Sequence, residues 1–321
     1  MRVPVLTPRA FRRLTLANVV LLVVIIASGA AVRLTDSGLG CADWPNCNAD
    51  NFISVDSGHS AIEQLNRIFS GLIGIPILAT LVFAYRRQPR RRDLVTRAWL
   101  MLALFVGNAV LGGISVMVKL AWVSVMGHFL LAIALVGVAL ETHKRTGEPA
   151  GPRASVVASP VRAMGRAVYV LTIWVLVWGT LVTAAGPHGG DREARRLSWA
   201  IGDVARVHAV SVDILVGVLV VLMVVLVRTR APRPVLVAAS AALAAMVGQG
   251  IVGYVQYFNA IPEVLVGIHV VGAVAVFSTV QWFVLSMRTP VAEGAGAATA
   301  SQDSKIRAAR DPARTGAFAR G

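Results

Sequence analysis

The sequence predicts an all-α integral membrane protein, with eight transmembrane helices that form two tandem, pseudo-symmetric four-helix bundles. Three observations predict this fold class. First, 56% of the 321 residues are hydrophobic and only 15% are charged, whereas a soluble domain carries about 25% charged residues. Second, eight apolar runs follow one another along the chain. Third, the second half of the chain repeats motifs of the first half at matching spacing.

Each apolar run has about the length of 20 residues that a helix needs to cross the hydrocarbon core of a bilayer. The predicted spans are Leu14–Val32, Ile68–Tyr85, Leu94–Val118, Val123–Leu140, Ala167–Ala185, Val207–Val227, Val235–Tyr254 and Val264–Leu285. We therefore expect a multi-pass protein in contact with membrane lipid.

Most of the 31 Lys and Arg residues lie in alternate loops, in segments such as "RRQPRRRD" after the second span and "RTRAPRP" after the sixth. The positive-inside rule places these loops in the cytoplasm. We therefore expect a cell-membrane protein with both termini cytoplasmic. The net charge of +15 follows from this loop distribution, and we expect no nucleic-acid partner.

The internal repeat has a parallel orientation. "GNAVLGGISV" in span three matches "GQGIVGYVQY" in span seven, and both have a Gly-amide-x-x-x-Gly pattern suited to close helix packing. Asn66 precedes His128 by 62 residues, and His208 precedes His269 by 61. The predicted division is a first bundle over residues 1–142, a cytoplasmic linker over 143–166, a second bundle over 167–287, and a disordered cytoplasmic tail over 288–321.

Cys41 and Cys47 are the only cysteines, and both precede the second span on the predicted external side. Disulfides persist outside the cytoplasm, so we expect these two residues to be joined. The alternative is a pair of unpaired thiols, while two cysteines alone are too few to complete a zinc site.

Four of the six histidines lie at the outer ends of even-numbered helices. An isolated histidine in an apolar helix is most often packed or hydrogen-bonded, but two histidines at one depth on two helices of a bundle can ligate a haem iron. His208 and His269 satisfy that condition in the second half. In the first half His128 faces Asn66, and a neutral asparagine is a poor ligand for iron.

"HSAIEQLNR" begins the second helix and places His59, Glu63 and Asn66 at i, i+4 and i+7, on one face. Burial at the membrane edge would suit Glu63 to proton transfer; the alternative is an ion pair with Arg67 at i+4. His59 is interpreted as a proton carrier, as a contact to another point of a bound porphyrin, or as an exposed loop residue.

Some arginines lie on the predicted external side, where positive charge is disfavoured. Arg33, Arg67 and Arg206 are candidates to bind the two propionates of a porphyrin, because arginine pairs with carboxylates bidentately. Ordinary surface charge is the alternative for each of them.

These residues resemble the haem A synthase family. The motifs that carry the resemblance are "GAAVRLTDSGLGCADWPNC", "HSAIEQLNR", "GNAVLGGISV", "GHFLLA", "VHAVSVD" and "GYVQYFNAIPEVLVGIHVVGA". Together they lie in or beside seven of the eight predicted spans, all but the fifth. The family oxidises the C8 methyl group of haem O to a formyl group, by successive hydroxylations and loss of water, and so supplies haem A to cytochrome oxidase.

By position, the resemblance implies that Glu63 is the catalytic glutamate and His128 the histidine on the substrate side. It implies that His208 and His269 ligate the iron of a haem b cofactor. The sequence departs from the commoner family pattern at Asn66, where many members have histidine. Either His59 replaces that ligand, or His128 alone holds the iron of the substrate haem.

The resemblance also implies partners: haem O and haem A, a haem O synthase, assembly factors of cytochrome oxidase, and an electron-transfer partner. The main alternative function is a di-haem b-type electron-transfer cytochrome without substrate chemistry. A transporter is a weaker alternative, because the ionisable residues cluster at one membrane surface instead of lining a path through the protein.

Overall fold

The computed structural model describes residues 6–291. The eight helices are α1 (Pro8–Leu34), α2 (Gly58–Arg86), α3 (Arg92–Met117), α4 (Trp122–Thr146), α5 (Ser159–Ala185), α6 (Ile201–Arg228), α7 (Arg233–Phe258) and α8 (Glu263–Ser286). Each is long and apolar enough to cross a membrane. The predicted all-α membrane fold with eight spans is confirmed.

Helices α1 and α2 begin before their apolar runs, at polar capping residues. At α1, the Thr7 side chain accepts a hydrogen bond from the Ala10 amide. At α2, Ser57 and Ser60 form a reciprocal capping box. Helix α2 therefore begins ten residues before the predicted span at Ile68, and "HSAIEQLNR" forms its first turns.

The two halves of the chain have matching architecture. Helices α1 and α5 are both 27 residues long, and α3 and α7 are both 26. The α3–α4 turn has positive φ at Lys119 and Leu120, and the α7–α8 turn has positive φ at Ala260 and Ile261. Left-handed residues other than glycine are uncommon, so their recurrence as pairs in equivalent turns supports the repeat of two four-helix units.

The two bundles pack against each other through α8, which contacts α1 and α4 of the first bundle and α5 of its own. Gln281 Nε2 donates to the carbonyl of Gly137 over 2.7 Å. The Phe277 ring lies 6.0 Å from the Tyr169 ring and belongs to the apolar core of the first bundle, beside Ile77 and Val136. The two bundles thus meet at a close helix crossing, where the buried side-chain amide of Gln281 bonds to the backbone of α4.

The predicted boundaries of the linker and the tail need correction. Helix α4 continues to Thr146, and α5 begins at Ser159. Between them, β1 (Arg153–Ser155) pairs antiparallel with β2 (Arg288–Pro290). The predicted disordered tail over 288–321 is therefore wrong at its start, because backbone pairing with the linker orders these residues. The remainder of the predicted tail, 292–321, lies outside the described residues.

We predict that Gly137→Ala destabilises the bundle interface. The added Cβ would lie 2.8 Å from Gln281 Oε1 and 3.1 Å from Phe277 Cζ, and overpacking of this kind costs about 1–3 kcal/mol. Thermal unfolding in detergent should show a lower midpoint. Gly248→Ala is the matched control, because no atom lies within 4 Å of its added Cβ. Equal midpoints for the two variants would contradict this account of the interface.

Candidate functional site

The candidate site lies at one end of the helices, which we call the disulfide end; it comprises the helix ends and the connecting loops 35–57, 118–121, 186–200 and 259–262. Its first feature is the cross-link between Cys41 and Cys47. Both cysteines are buried. The predicted disulfide is confirmed, and we call residues 41–47 the disulfide loop.

Glu63 is only 4% exposed and holds the disulfide loop against α2. Its Oε1 accepts from Arg67 Nη2 at 2.6 Å and from Arg67 Nε at 3.0 Å. Its Oε2 accepts from the amide of Cys41 at 2.8 Å. The structure thus contains the i+4 ion pair with Arg67 that the sequence offered as the alternative to a free titrating acid.

Arg67 extends this contact to the loop backbone. Its Nη1 donates to the carbonyls of Asp43, at 2.9 Å, and Asn46, at 3.1 Å. All three guanidinium nitrogens therefore have protein partners. The expected contact of Arg67 with a haem propionate would have to compete with these four hydrogen bonds.

His59 lies in the first turn of α2 and is exposed. Its Nδ1 is 2.9 Å from the hydroxyl of the buried Ser37, and its backbone is so close to Gly40 that an added Cβ there would lie 2.5 Å from the His59 carbonyl. Two turns further along, Asn66 Oδ1 accepts from Ser28 on α1 over 2.8 Å. The predicted face of α2 thus contacts the α1–α2 loop at His59 and helix α1 at Asn66.

His128 on α4 has a defined tautomer. Its Nδ1 lies 3.1 Å from the carbonyl oxygen of Asn108 on α3. Because a carbonyl can only accept, Nδ1 carries the proton and Nε2 has a free lone pair. This arrangement is typical of histidines that ligate metals. In such residues the ring nitrogen that does not bind the metal donates to a backbone carbonyl, which orients the ring.

His208 and His269 occupy matching sites in the second bundle. Glycines face their rings: an added Cβ at Gly179 would lie 3.2 Å from His208 Cε1, and one at Gly253 would lie 3.1 Å from His269 Cε1. Both Nδ1 atoms are buried without a hydrogen-bond partner among the described residues.

These features fit a haem better than a bare metal ion. Within residues 6–291 there is no cluster of three or more His, Cys, Asp or Glu side chains able to hold an ion. A haem iron needs only two axial ligands from the protein, because the porphyrin supplies the other four. Two imidazoles with unpartnered nitrogens, each facing a glycine, meet that requirement.

The remaining arginines differ in their surroundings. Arg33 Nη1 donates to the carbonyl of His188 in the α5–α6 loop over 2.9 Å and so connects the two halves at the disulfide end. Arg206 is exposed near the start of α6. Their expected contact with porphyrin carboxylates stays a prediction.

Sequence reasoning missed the glycines that make room for the histidine rings. Gly112 and Gly253 are equivalent in the repeat, and we expected them only to promote close helix packing. Instead, Gly112 faces the His128 ring, so that an added Cβ would lie 3.0 Å from its Cε1, as Gly253 faces that of His269. The signal was present, since each glycine recurs 16 residues before its histidine.

Comparison with known proteins agrees with this geometry. The model of the COX15-CtaA family, described as cytochrome oxidase assembly protein, matches residues 12–59 and 52–187. These ranges include Glu63, Arg67 and His128, but not the histidine pair of the second bundle. The assignment of His208 and His269 therefore depends on the internal repeat and on their surroundings.

Similar curated proteins carry the name heme A synthase. The protein from Lysinibacillus sphaericus is 29% identical over 126 residues, which are 39% of each chain. The protein from Halalkalibacterium halodurans is 27% identical over 168 residues, 51% of this chain and 54% of that protein. The protein from Bacillus mycoides is 32% identical over 96 residues, 30% of this chain and 31% of that one. The chain thus spans about half, or less, of the length of these relatives.

We predict that Gly40→Ala loosens the disulfide loop. The added Cβ would overlap the backbone of His59, and relieving that overlap at a cost of about 1.4 kcal/mol or more would raise local opening at least about tenfold. Hydrogen exchange of the Cys41 amide should therefore accelerate. Gly58→Ala is the control, because no atom lies within 4 Å of its added Cβ. Unchanged exchange in Gly40→Ala would show that the loop does not depend on this contact.

Proposed function

Since the chain belongs to the COX15-CtaA family of cytochrome oxidase assembly proteins, we propose that it is a haem A synthase. It oxidises the C8 methyl group of haem O to the formyl group of haem A. This proposal rests on one observation: two otherwise equivalent bundles differ in the side chains at their disulfide ends. The second bundle has two matched histidines, whereas the first has one oriented histidine and a buried carboxylate.

The first bundle is the substrate side in this proposal. His128 presents Nε2 to the iron of haem O, because the bond to Asn108 holds the proton on Nδ1. Asn66 is bonded to Ser28 and does not act as the second ligand. One axial ligand leaves a coordination position open, as a substrate that undergoes chemistry requires, whereas a pure electron carrier is usually closed by two.

The second bundle is the cofactor side. His208 and His269 would hold the iron of haem b, and Arg206 would bind its propionates at the disulfide end, whereas Arg33 and Arg67 are the candidates to bind propionates of the substrate haem. When bound, haem b supplies one-electron redox chemistry. Gly179 and Gly253 leave room for the edges of the two imidazoles and so permit the orientation in which they would bind the iron.

Glu63 is the proposed proton acceptor. With water as the source of oxygen, oxidation of the methyl group to a formyl group releases protons and electrons; the electrons would leave to the electron-transfer partner, and Glu63 is the buried carboxylate at the disulfide end of the first bundle that would accept a proton. His59 lies one turn closer to the end of α2, is exposed, and can pass a proton to water. Direct pairing with Arg67 favours the ionised form of Glu63.

The proposed location follows from the charge pattern. The basic loops place both termini in the cytoplasm and the disulfide end outside the cell membrane. Haem O then comes from a haem O synthase in the same membrane, and haem A passes to assembly factors of cytochrome oxidase. An electron-transfer partner completes the reaction.

The alternative is a di-haem b-type electron-transfer cytochrome. It would need a second pair of iron ligands in the first bundle, at the positions of Asn66 and His128. Asn66 provides no imidazole, and its amide oxygen is occupied by the hydroxyl of Ser28. The proposed enzyme therefore explains the first bundle better than the cytochrome does.

We predict that His208→Ala and His269→Ala each remove the low-spin haem b spectrum while the protein still inserts into the membrane. Each change takes away one of two axial ligands. Absorption spectra of the purified variants test this, with His143→Ala, at the opposite end of α4, as the control. A full b-type spectrum in both variants would refute the assignment of the ligands.

We predict that Glu63→Gln lowers the formation of haem A about a hundredfold or more, the range expected when a general base is lost, while the haem b spectrum persists. Glu263→Gln, the same change at an exposed carboxylate at the start of α8, should leave the yield normal. His59→Ala should reduce the yield less. Extraction and separation of haems B, O and A measures these yields. A normal yield from Glu63→Gln would exclude Glu63 as the base.

A further inference from the structure

We infer that Trp44 closes the substrate haem site between α2 and α3, and that the Glu63–Arg67 pair positions it there. This inference rests on the proposed function and adds a residue that determines how the substrate is held. Trp44 lies in the disulfide loop, not on a helix.

The backbone around Trp44 is fixed to α2. Arg67 Nη1 bonds to the carbonyl of Asp43, just before Trp44, and to the carbonyl of Asn46, two residues after it. The Trp44 amide donates to Asp43 Oδ1 over 2.7 Å, and the disulfide closes the loop at both ends. One guanidinium group, itself held by Glu63, thus grips the segment on both sides of the indole.

The side chain of Trp44 extends from this anchored segment to α3. It lies so close to Gly113 that an added Cβ there would overlap Cδ2 and lie 2.7 Å from Cε2 of the indole. Only glycine leaves room for an indole at this position. Trp44 therefore spans the gap between α2, which holds its backbone, and α3, which receives its ring.

Trp44 and the proposed iron ligand approach consecutive residues of α3. Gly112 faces the ring of His128, and the next residue, Gly113, faces Trp44. Successive residues of a helix are rotated by about 100°. The imidazole and the indole therefore flank α3 on neighbouring sides at one depth, where a porphyrin bound by His128 would extend.

The second bundle lacks this closure. In the repeat, Tyr254 on α7 is equivalent to Gly113, so no indole fits there. The gap between α6 and α7 is instead a cleft of about 590 Å³, lined among others by Val216, Gly217, Gly250 and Tyr254. The bundle proposed to bind a permanent cofactor has an open cleft, and the bundle proposed to bind a substrate is closed by a loop side chain.

The exchange of the substrate explains why a loop side chain, instead of a helix, would border its site. Haem O must enter and haem A must leave in each turnover, and a loop residue can move aside without unfolding a helix. Trp44 is 36% exposed, so it borders solvent or lipid on one side. Its flat, apolar face suits packing against a porphyrin.

The test compares four variants of the full-length protein in detergent: Trp44→Ala, Trp44→Phe, Gly113→Ala and Gly107→Ala. The readout is the dissociation rate of haem O, measured by its transfer to excess apomyoglobin. The haem b spectrum of each variant reports whether the second bundle is intact. Steady-state kinetics with haem O add the separate effects on kcat and KM.

We expect Trp44→Ala to release haem O at least about tenfold faster and to raise KM more than it lowers kcat. Gly113→Ala should match it, because the added Cβ displaces the indole without removing it. Trp44→Phe should retain most of the slow release. Gly107→Ala is the control on the same helix, since its added Cβ makes only an ordinary contact with Leu131 at 3.6 Å.

Release from Trp44→Ala and Gly113→Ala within twofold of the unmodified protein would overturn the inference while leaving the proposed function intact. If Trp44→Ala does not fold, Gly113→Ala against Gly107→Ala decides alone. An unmodified protein that neither binds haem O nor forms haem A would instead overturn the proposed function, and the inference with it.

Discussion

The ion pair between Glu63 and Arg67 is the contact on which the disulfide end depends. A carboxylate buried at a membrane edge is stable only when it is paired and hydrogen-bonded, and Glu63 obtains its partners from Arg67 and from the amide of Cys41. Arg67 in turn binds two loop carbonyls. Helix α2 and the disulfide loop therefore form one unit, and loss of either charge would leave the other buried and unpaired, at a cost of about 3–5 kcal/mol.

The repeated bundle supplies two similar frameworks, and a few substitutions give them different chemistry. His128 and His269 face glycines at equivalent positions of α3 and α7. The partner helices differ, because Asn66 bonds to Ser28, whereas its equivalent His208 faces Gly179. At these matching positions a symmetric framework thus holds two histidines in one half and one in the other, which is the physical basis of the proposed separation of a cofactor from a substrate.

Most of the fold was predictable, because eight apolar runs dictate eight helices and the cysteine pair dictates the cross-link. The pairing of β1 with β2 was not, since a three-residue strand has no periodicity and its partner lies more than 130 residues away. The histidine positions and the Glu63–Arg67 alternative followed from helical spacing. The amide of Cys41 and the loop carbonyls could not be predicted as their partners, because backbone groups have no signature in the sequence. Trp44 was missed for a related reason: its position depends on how the loop folds back between two helices.

The two roles proposed for Glu63 are physically linked. As an anion it attracts Arg67, and Arg67 holds the backbone on both sides of Trp44. When Glu63 accepts a proton from the reaction, its charge attraction for Arg67 disappears, and only weaker neutral hydrogen bonds remain. In the proposed reaction, the grip on the disulfide loop would then loosen when haem A has to leave. Return of the proton to water through His59 would restore the anion and the closed loop, so that in this proposal one carboxylate couples the chemistry of the site to the exchange of its ligand.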